Sequence, residues 1–182
     1  KREGTQRLSD FYSTMNTKLI DEYATHQAPL VAAVVRTTGP VMELGAGYYS
    51  TPILHEICCA VGRRLLTLDR DPGWLARFDS LGRGGHEIRL VTDWAIVTEI
   101  DQPWSVVLVD HSPGERRAID LARLLDANVE YIVVHDTEPN PAAAYHLEPV
   151  LQHFRYRRDF IDIAPWTTVV SNTHGLDWEW RR

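Results

Sequence analysis

The chain has 182 residues, 44% of them hydrophobic, and a formal net charge of −6. That length suits one domain with a real core, and the acidic surplus argues against a nucleic-acid partner. No apolar run approaches the roughly 20 residues that span a bilayer, which argues against a membrane partner.

The elements follow in chain order. Residues 8–36 read as one or two helices in an N-terminal segment, 1–40. Residues 41–44 are a short apolar strand, followed by Gly45 and Gly47 at alternate positions. Residues 51–61 are its helix, with Pro52 in the first turn, where a missing N–H costs nothing. Within it, the adjacent Cys58 and Cys59 read as reduced core residues, not as a disulfide or zinc framework. They fit a cytoplasmic protein, and no secretory leader is read at Lys1.

A second strand covers 64–69, and its helix covers 72–81. The Gly-rich turn 82–85 leads to a third strand, 87–91. The near-continuous apolar run 105–109 predicts a fourth strand covered on both faces. Residues 115–125 are helical, 131–134 form a fifth strand and 142–154 a further helix. Residues 155–163 and 167–171 are closing strands whose short link, Ala164-Pro-Trp166, predicts an antiparallel pair. Alternating strands and helices imply a parallel α/β sheet with right-handed crossovers. The tail, 173–182, either packs on the body, meets a neighbour or lines a substrate wall.

Ligands of open parallel sheets bind beyond the carboxyl ends of the strands. Glu43, Asp69, Asp93, Asp110-His111 and His135-Asp136 stand there. The turn Gly45-Ala46-Gly47 lets backbone approach a ligand closely, and the helix after it offers N–H groups and a partial positive charge. A dinucleotide site carries a third glycine, whose place Ser50 takes here, and gains nothing from Glu43 facing a pyrophosphate. A cofactor with a cationic amino-acid end does gain from it. Asp69 lies about 20 residues past the turn, the spacing that reaches ribose hydroxyls, while Asp71 caps the next helix.

Glu43-Leu-Gly-Ala-Gly47 resembles the first motif of class I S-adenosylmethionine-dependent methyltransferases, and the likeness extends over about 41–172. It implies a Rossmann-like, seven-stranded sheet of order 3-2-1-4-5-7-6 with helices on both faces. It also implies methyl transfer to a small molecule, with oxygen the preferred acceptor. Gly45 and Gly47 would flank the methionine portion, Glu43 would act on its ammonium directly or through water, and Ala46 and Ser50 would be further cofactor contacts. Asp69 would hold the ribose, Asp93 and Trp94 would meet the adenine, and Arg70 and Asp110 would also bind the cofactor, while Asp110, His111, His135 and Asp136 would face the acceptor.

Asp110-His111 and His135-Asp136 further resemble the acid pairs of catechol O-methyltransferase-like enzymes. In those enzymes the carboxylates hold magnesium. The resemblance implies that Asp110 and Asp136 would be the corresponding metal ligands, for Mg2+ or another divalent ion. Thr137 replaces that family's Asn, and its catalytic lysine is missing, because Lys1 and Lys18 are the only lysines. His111 and His135 become the candidate bases, with Asp110 beside them. Arg116 or Arg117 either clamps an acidic substrate or pairs with Glu138. A homodimer is compatible with all of this. The alternatives are a non-catalytic S-adenosylmethionine-binding or partner subunit and, less favoured, an NAD-dependent oxidoreductase.

Overall fold

The computed structural model describes residues 21–139 and 145–178. Its strands are β1 (Val41–Leu44), β2 (Leu65–Asp69), β3 (His86–Leu90), β4 (Val106–Val109), β5 (Tyr131–His135), β6 (Tyr156–Phe160) and β7 (Thr167–Ser171). They form one sheet in the order β3-β2-β1-β4-β5-β7-β6, as expected. The first five strands run parallel to one another. β7 enters antiparallel between β5 and β6, so the closing pair is the predicted hairpin.

Every residue of β1 and β4 is buried, and the pleat sends alternate side chains to opposite faces. Met42, Leu44, Val107, Val109, Ile132 and Val134 pack with Leu121 and Leu124 of helix α4 (Arg116–Asp126). Val41, Val106, Leu108 and Val133 pack on the other face with α1 (Gln27–Val35) and α2 (Thr51–Ala60). Cys58 and Cys59 are free thiols, Cys58 in this second core. Trp178 packs edge-on against Tyr131, so this part of the tail lies on the body. No helix among the described residues is long and apolar enough to cross a membrane.

Two expected helices are shorter than the sequence pattern suggests. The helix after β2 is α3 (Pro72–Leu75), and it continues as a 3-10 helix, Ala76–Leu81. Gly73 weakens a longer α-helix there. The helix before β6 is α5 (Glu148–Leu151). His146 takes a left-handed φ of 54°, which breaks any helix running through it, and Pro149 sits in the first turn of the new one. Residues 142–144 of that expected helix, and 1–20 of the N-terminal segment, lie outside the described residues.

Candidate active site

The glycine turn is built against β4. Gly45 has φ +94°, and a Cβ placed on it would stand 2.5 Å from the carbonyl oxygen of Asp110. No other residue fits that approach without strain. The turn's amides are all engaged within the protein. Gly45 N donates to Leu68 O, Ala46 N to Asp69 Oδ2 and Gly47 N to Thr51 Oγ1. The expected anion cradle of free N–H groups is therefore not present at these three positions. The turn offers close backbone approach and a nearby carboxylate instead. Trp74 ties down the outer side by donating to Ala46 O. Tyr48 is exposed and packs edge-on against Trp74.

Asp69 is half-buried at the end of β2, and its other oxygen accepts the Asp71 amide. Its carboxylate thus sits at the turn, bridging the Ala46 and Asp71 amides. Arg70 beside it is exposed. Asp93 is exposed at the rim and caps the next turn by accepting from Ala95 N.

Glu43 differs from the expectation. The pleat turns it to the α2 face, opposite its register partner Thr67, with no solvent exposure. Its Oε2 accepts from Thr51 Oγ1 and Thr67 Oγ1, while Oε1 has no hydrogen bond of good geometry among the described residues. Ser50, also buried, lies beneath the turn with it. Both residues brace the turn from below and neither lines its ligand side. Burial pushes the Glu43 carboxyl up to about 7, against the hydroxyls of Ser50, Thr67 and Thr51, which favour the charged form.

A proton therefore binds the folded state more tightly than the unfolded chain between the ordinary value of 4.5 and about 7. Wild-type stability falls as pH rises through that window. Glu43→Gln keeps the neutral form at every pH. Urea unfolding at pH 5 and pH 8 is expected to show the variant gaining on wild type at pH 8. An unchanged difference between the two pH values contradicts this origin.

At β4 and β5 the sequence picked out the correct neighbours but misjudged what joins them. Arg117, 6% exposed, lies between the two strand ends. Its guanidinium meets Asp110 Oδ1 and Asp136 Oδ2, both at 2.9 Å. It also donates to the carbonyl oxygens of His111, His135 and Asp110. Asp136 takes φ +56°, a left-handed conformation that Asp tolerates better than most residues. The cation joining the two carboxylates is thus a side chain. A magnesium ion between Asp110 and Asp136 does not fit these residues as they stand. Arg117 is neither a free clamp nor the partner of Glu138, and Arg116 pairs with Asp120.

The two candidate bases do not face each other. His111 is 1% exposed, and its Nε2 meets Asp120 Oδ2 at 3.1 Å. Trp94 packs over it with ring centroids 4.4 Å apart and donates to Ser112 O. Burial holds the His111 pKa down against the pull of Asp120. His111 is therefore a structural residue on the α4 side. Trp94, 3% exposed, is a core residue and not a platform for adenine.

His135 points the other way. Its Nδ1 lies 3.3 Å from Asp110 Oδ1 and 3.4 Å from Asp136 Oδ1. Its Nε2 lies 3.0 Å from Thr25 Oγ1, whose hydroxyl donates to Pro165 O. Thr25 has one proton to give, so Nε2 donates to it, while Nδ1 donates to the carboxylates. Burial alone would lower the His135 pKa, but Asp110 and Asp136 raise it above the usual value. In this arrangement both His135 nitrogens act as donors, and the two carboxylates favour its protonated form. The His135 hydrogen bond and Arg117 hold Asp110 low, against its own burial.

Sequence reasoning missed His26, just before α1. It is 3% exposed, packs edge-on against His135 at 4.6 Å, and neither ring nitrogen has a hydrogen-bond partner among the described residues. Burial and the neighbouring His135 lower its pKa to about 4, so it is neutral at physiological pH. The sequence carries no signal for it, because it meets Asp110 only through the tertiary fold.

The fold and this rim define a class. No family model matches the chain, and no curated protein matches it in sequence. Solved structures do match in shape. An O-methyltransferase from Bacillus cereus in complex with SAH is 11% identical, with a TM-score of 0.60 over 90% of each chain. The O-methyltransferase TomG from Streptomyces achromogenes, in complex with SAM, is 16% identical, with a TM-score of 0.62 over 82% of this chain and 79% of that one. The fibrillarin pre-rRNA processing protein of Methanococcus jannaschii is 13% identical, with a TM-score of 0.55 over 84% of this chain and 78% of that one. The chain has the class I S-adenosylmethionine-dependent methyltransferase fold.

Proposed function

We propose that the protein transfers the methyl group of S-adenosylmethionine to an oxygen of a small molecule. The observation that carries this reading is the glycine turn. Its three amides are spent within the protein, and the Asp69 carboxylate is bound to it. A pyrophosphate finds no donors there, which disfavours a dinucleotide. An adenosyl sulfonium brings no phosphate, and its ribose hydroxyls suit a carboxylate. Asp93 serves the adenine amino group, and Arg70 and Tyr48 flank the same rim. Glu43 acts on the cofactor only through the turn it braces.

In the reaction the acceptor oxygen attacks the methyl carbon, the carbon–sulfur bond breaks and the sulfur leaves as a neutral thioether. The protein's main contribution is alignment. The acceptor stands over Asp110, and its proton goes to the Asp110 carboxylate, which His135 holds in place, and from there to solvent. Arg117 keeps the two carboxylates in place throughout. The small-molecule preference rests on the net charge of −6. The fibrillarin likeness makes an RNA acceptor the competing reading, and RNA substrates belong in the same assay.

Incubation with S-adenosylmethionine and a panel of phenols, other hydroxylated metabolites and short RNAs is expected to release S-adenosylhomocysteine with a hydroxylated metabolite. Binding of the cofactor without turnover on any acceptor would favour a non-catalytic subunit. Asp69→Asn is expected to weaken S-adenosylhomocysteine binding about 10–100-fold, the value of a charged hydrogen bond. Equal affinity by calorimetry would remove Asp69 from the ribose site.

A further inference from the structure

We infer that His26, Asp110 and His135 form a binding site for a first-row divalent transition metal. This site is distinct from a magnesium position between Asp110 and Asp136. One ligand atom from each of the three residues lies within 4.8 Å of the others. A tetrahedral ion with bonds near 2.0–2.1 Å needs donors roughly 3.3 Å apart. His135 Nδ1 and Asp110 Oδ1 already stand at 3.3 Å.

His26 supplies the independent observation. A buried imidazole with two unpartnered nitrogens is costly in a folded protein. His26 is such a group, and its ring packs against His135 at 4.6 Å. A metal bond satisfies one of those nitrogens. Thr25 completes the pattern. By accepting from His135 Nε2 it fixes that proton and leaves Nδ1 to coordinate an ion in place of its own proton. Metal-binding histidines are commonly oriented in this way by a partner on the other nitrogen.

The donor set selects the metal. Two imidazoles and one carboxylate suit zinc and its neighbours, whereas magnesium favours oxygen ligands and keeps several waters. Arg117 already neutralises part of the Asp110 charge, which further disfavours a hard ion. The Asp110 side chain is 23% exposed, giving the site an opening to solvent.

The test needs neither cofactor nor turnover, so it stands or falls apart from the methyl-transfer reading. The chelator-treated full chain is titrated with CoCl2 and followed by visible absorption, then with ZnCl2 by calorimetry. The expected result is one equivalent bound, with the ligand-field bands of a nitrogen–oxygen site. His26→Gln and Asp110→Asn are expected to lose it, and Thr25→Val to weaken it about 10–100-fold. Cys59→Ser and His174→Gln, which alter a thiol and an imidazole outside the site, are expected to leave it unchanged. His26→Leu separates a ligand from a packing residue. Its metal-free form is expected to melt no lower than wild type, yet without the stabilisation that zinc gives wild type. No binding, or binding that survives His26→Gln and His26→Leu, overturns the inference.

Discussion

Gly45→Ala is expected to lose S-adenosylhomocysteine binding and to be strongly destabilised. The φ of +94° costs an L side chain about 1–2 kcal/mol. The added Cβ also meets the Asp110 carbonyl oxygen at 2.5 Å and His111 Cα at 2.8 Å, both backbone. Neither yields as a side chain would, so the clash adds about 1–3 kcal/mol. The combined loss corresponds to a melting temperature lower by on the order of 10 °C. Gly47→Ala is the internal comparison. Its Cβ meets only the Ser50 hydroxyl, at 3.0 Å, and φ is not positive there. Its melting temperature is expected to fall much less. Two glycines of one motif thus differ, because one faces backbone and the other a movable side chain. Equal losses at both positions would contradict this account of the turn.

Arg117→Met is the second large effect. It removes the guanidinium from two carboxylates and three carbonyl oxygens at once. Breaking a buried pair costs about 3–5 kcal/mol, and the partial exposure of Asp110 and Asp136 screens this to roughly 2–4 kcal/mol. The pH dependence identifies the cause. Arg117 helps to hold Asp110 below its ordinary value of 3.8. Its contribution is therefore present above that value and is lost as pH falls through the lower, folded-state pKa. Denaturant unfolding is expected to show the full deficit at pH 7 and a smaller one near pH 3. A deficit independent of pH would mean that Arg117 acts through packing under Tyr145, which lies 4.8 Å from the guanidinium.

The sheet was legible because its signals are local. Val41-Met-Glu-Leu44 and Val106-Val-Leu-Val109 are short apolar runs bounded by turns, and each proved a buried strand. The order of the strands came through the resemblance to a known family, and the antiparallel pair through the short link at Pro165. The meeting of Asp110 with Asp136 followed from β4 and β5 being neighbours.

What the sequence hid depends on side-chain direction and long-range packing. Asp110 and His111 are consecutive, yet one stands at the rim and the other turns toward α4. Glu43 reads as a strand-end acid, but the pleat buries it beneath the turn. Arg116 and Arg117 are adjacent on one helix, and only the packing of α4 decides which of them reaches the strand ends. His26 joins Asp110 from 84 positions away, and no local pattern announces that contact.

Isothermal titration of the purified chain with S-adenosylhomocysteine tests the central claim most directly. A single site saturating at one equivalent, weakened by Asp69→Asn and abolished by Gly45→Ala, is the predicted result. No heat with S-adenosylhomocysteine, alongside saturable binding of NAD, would contradict it.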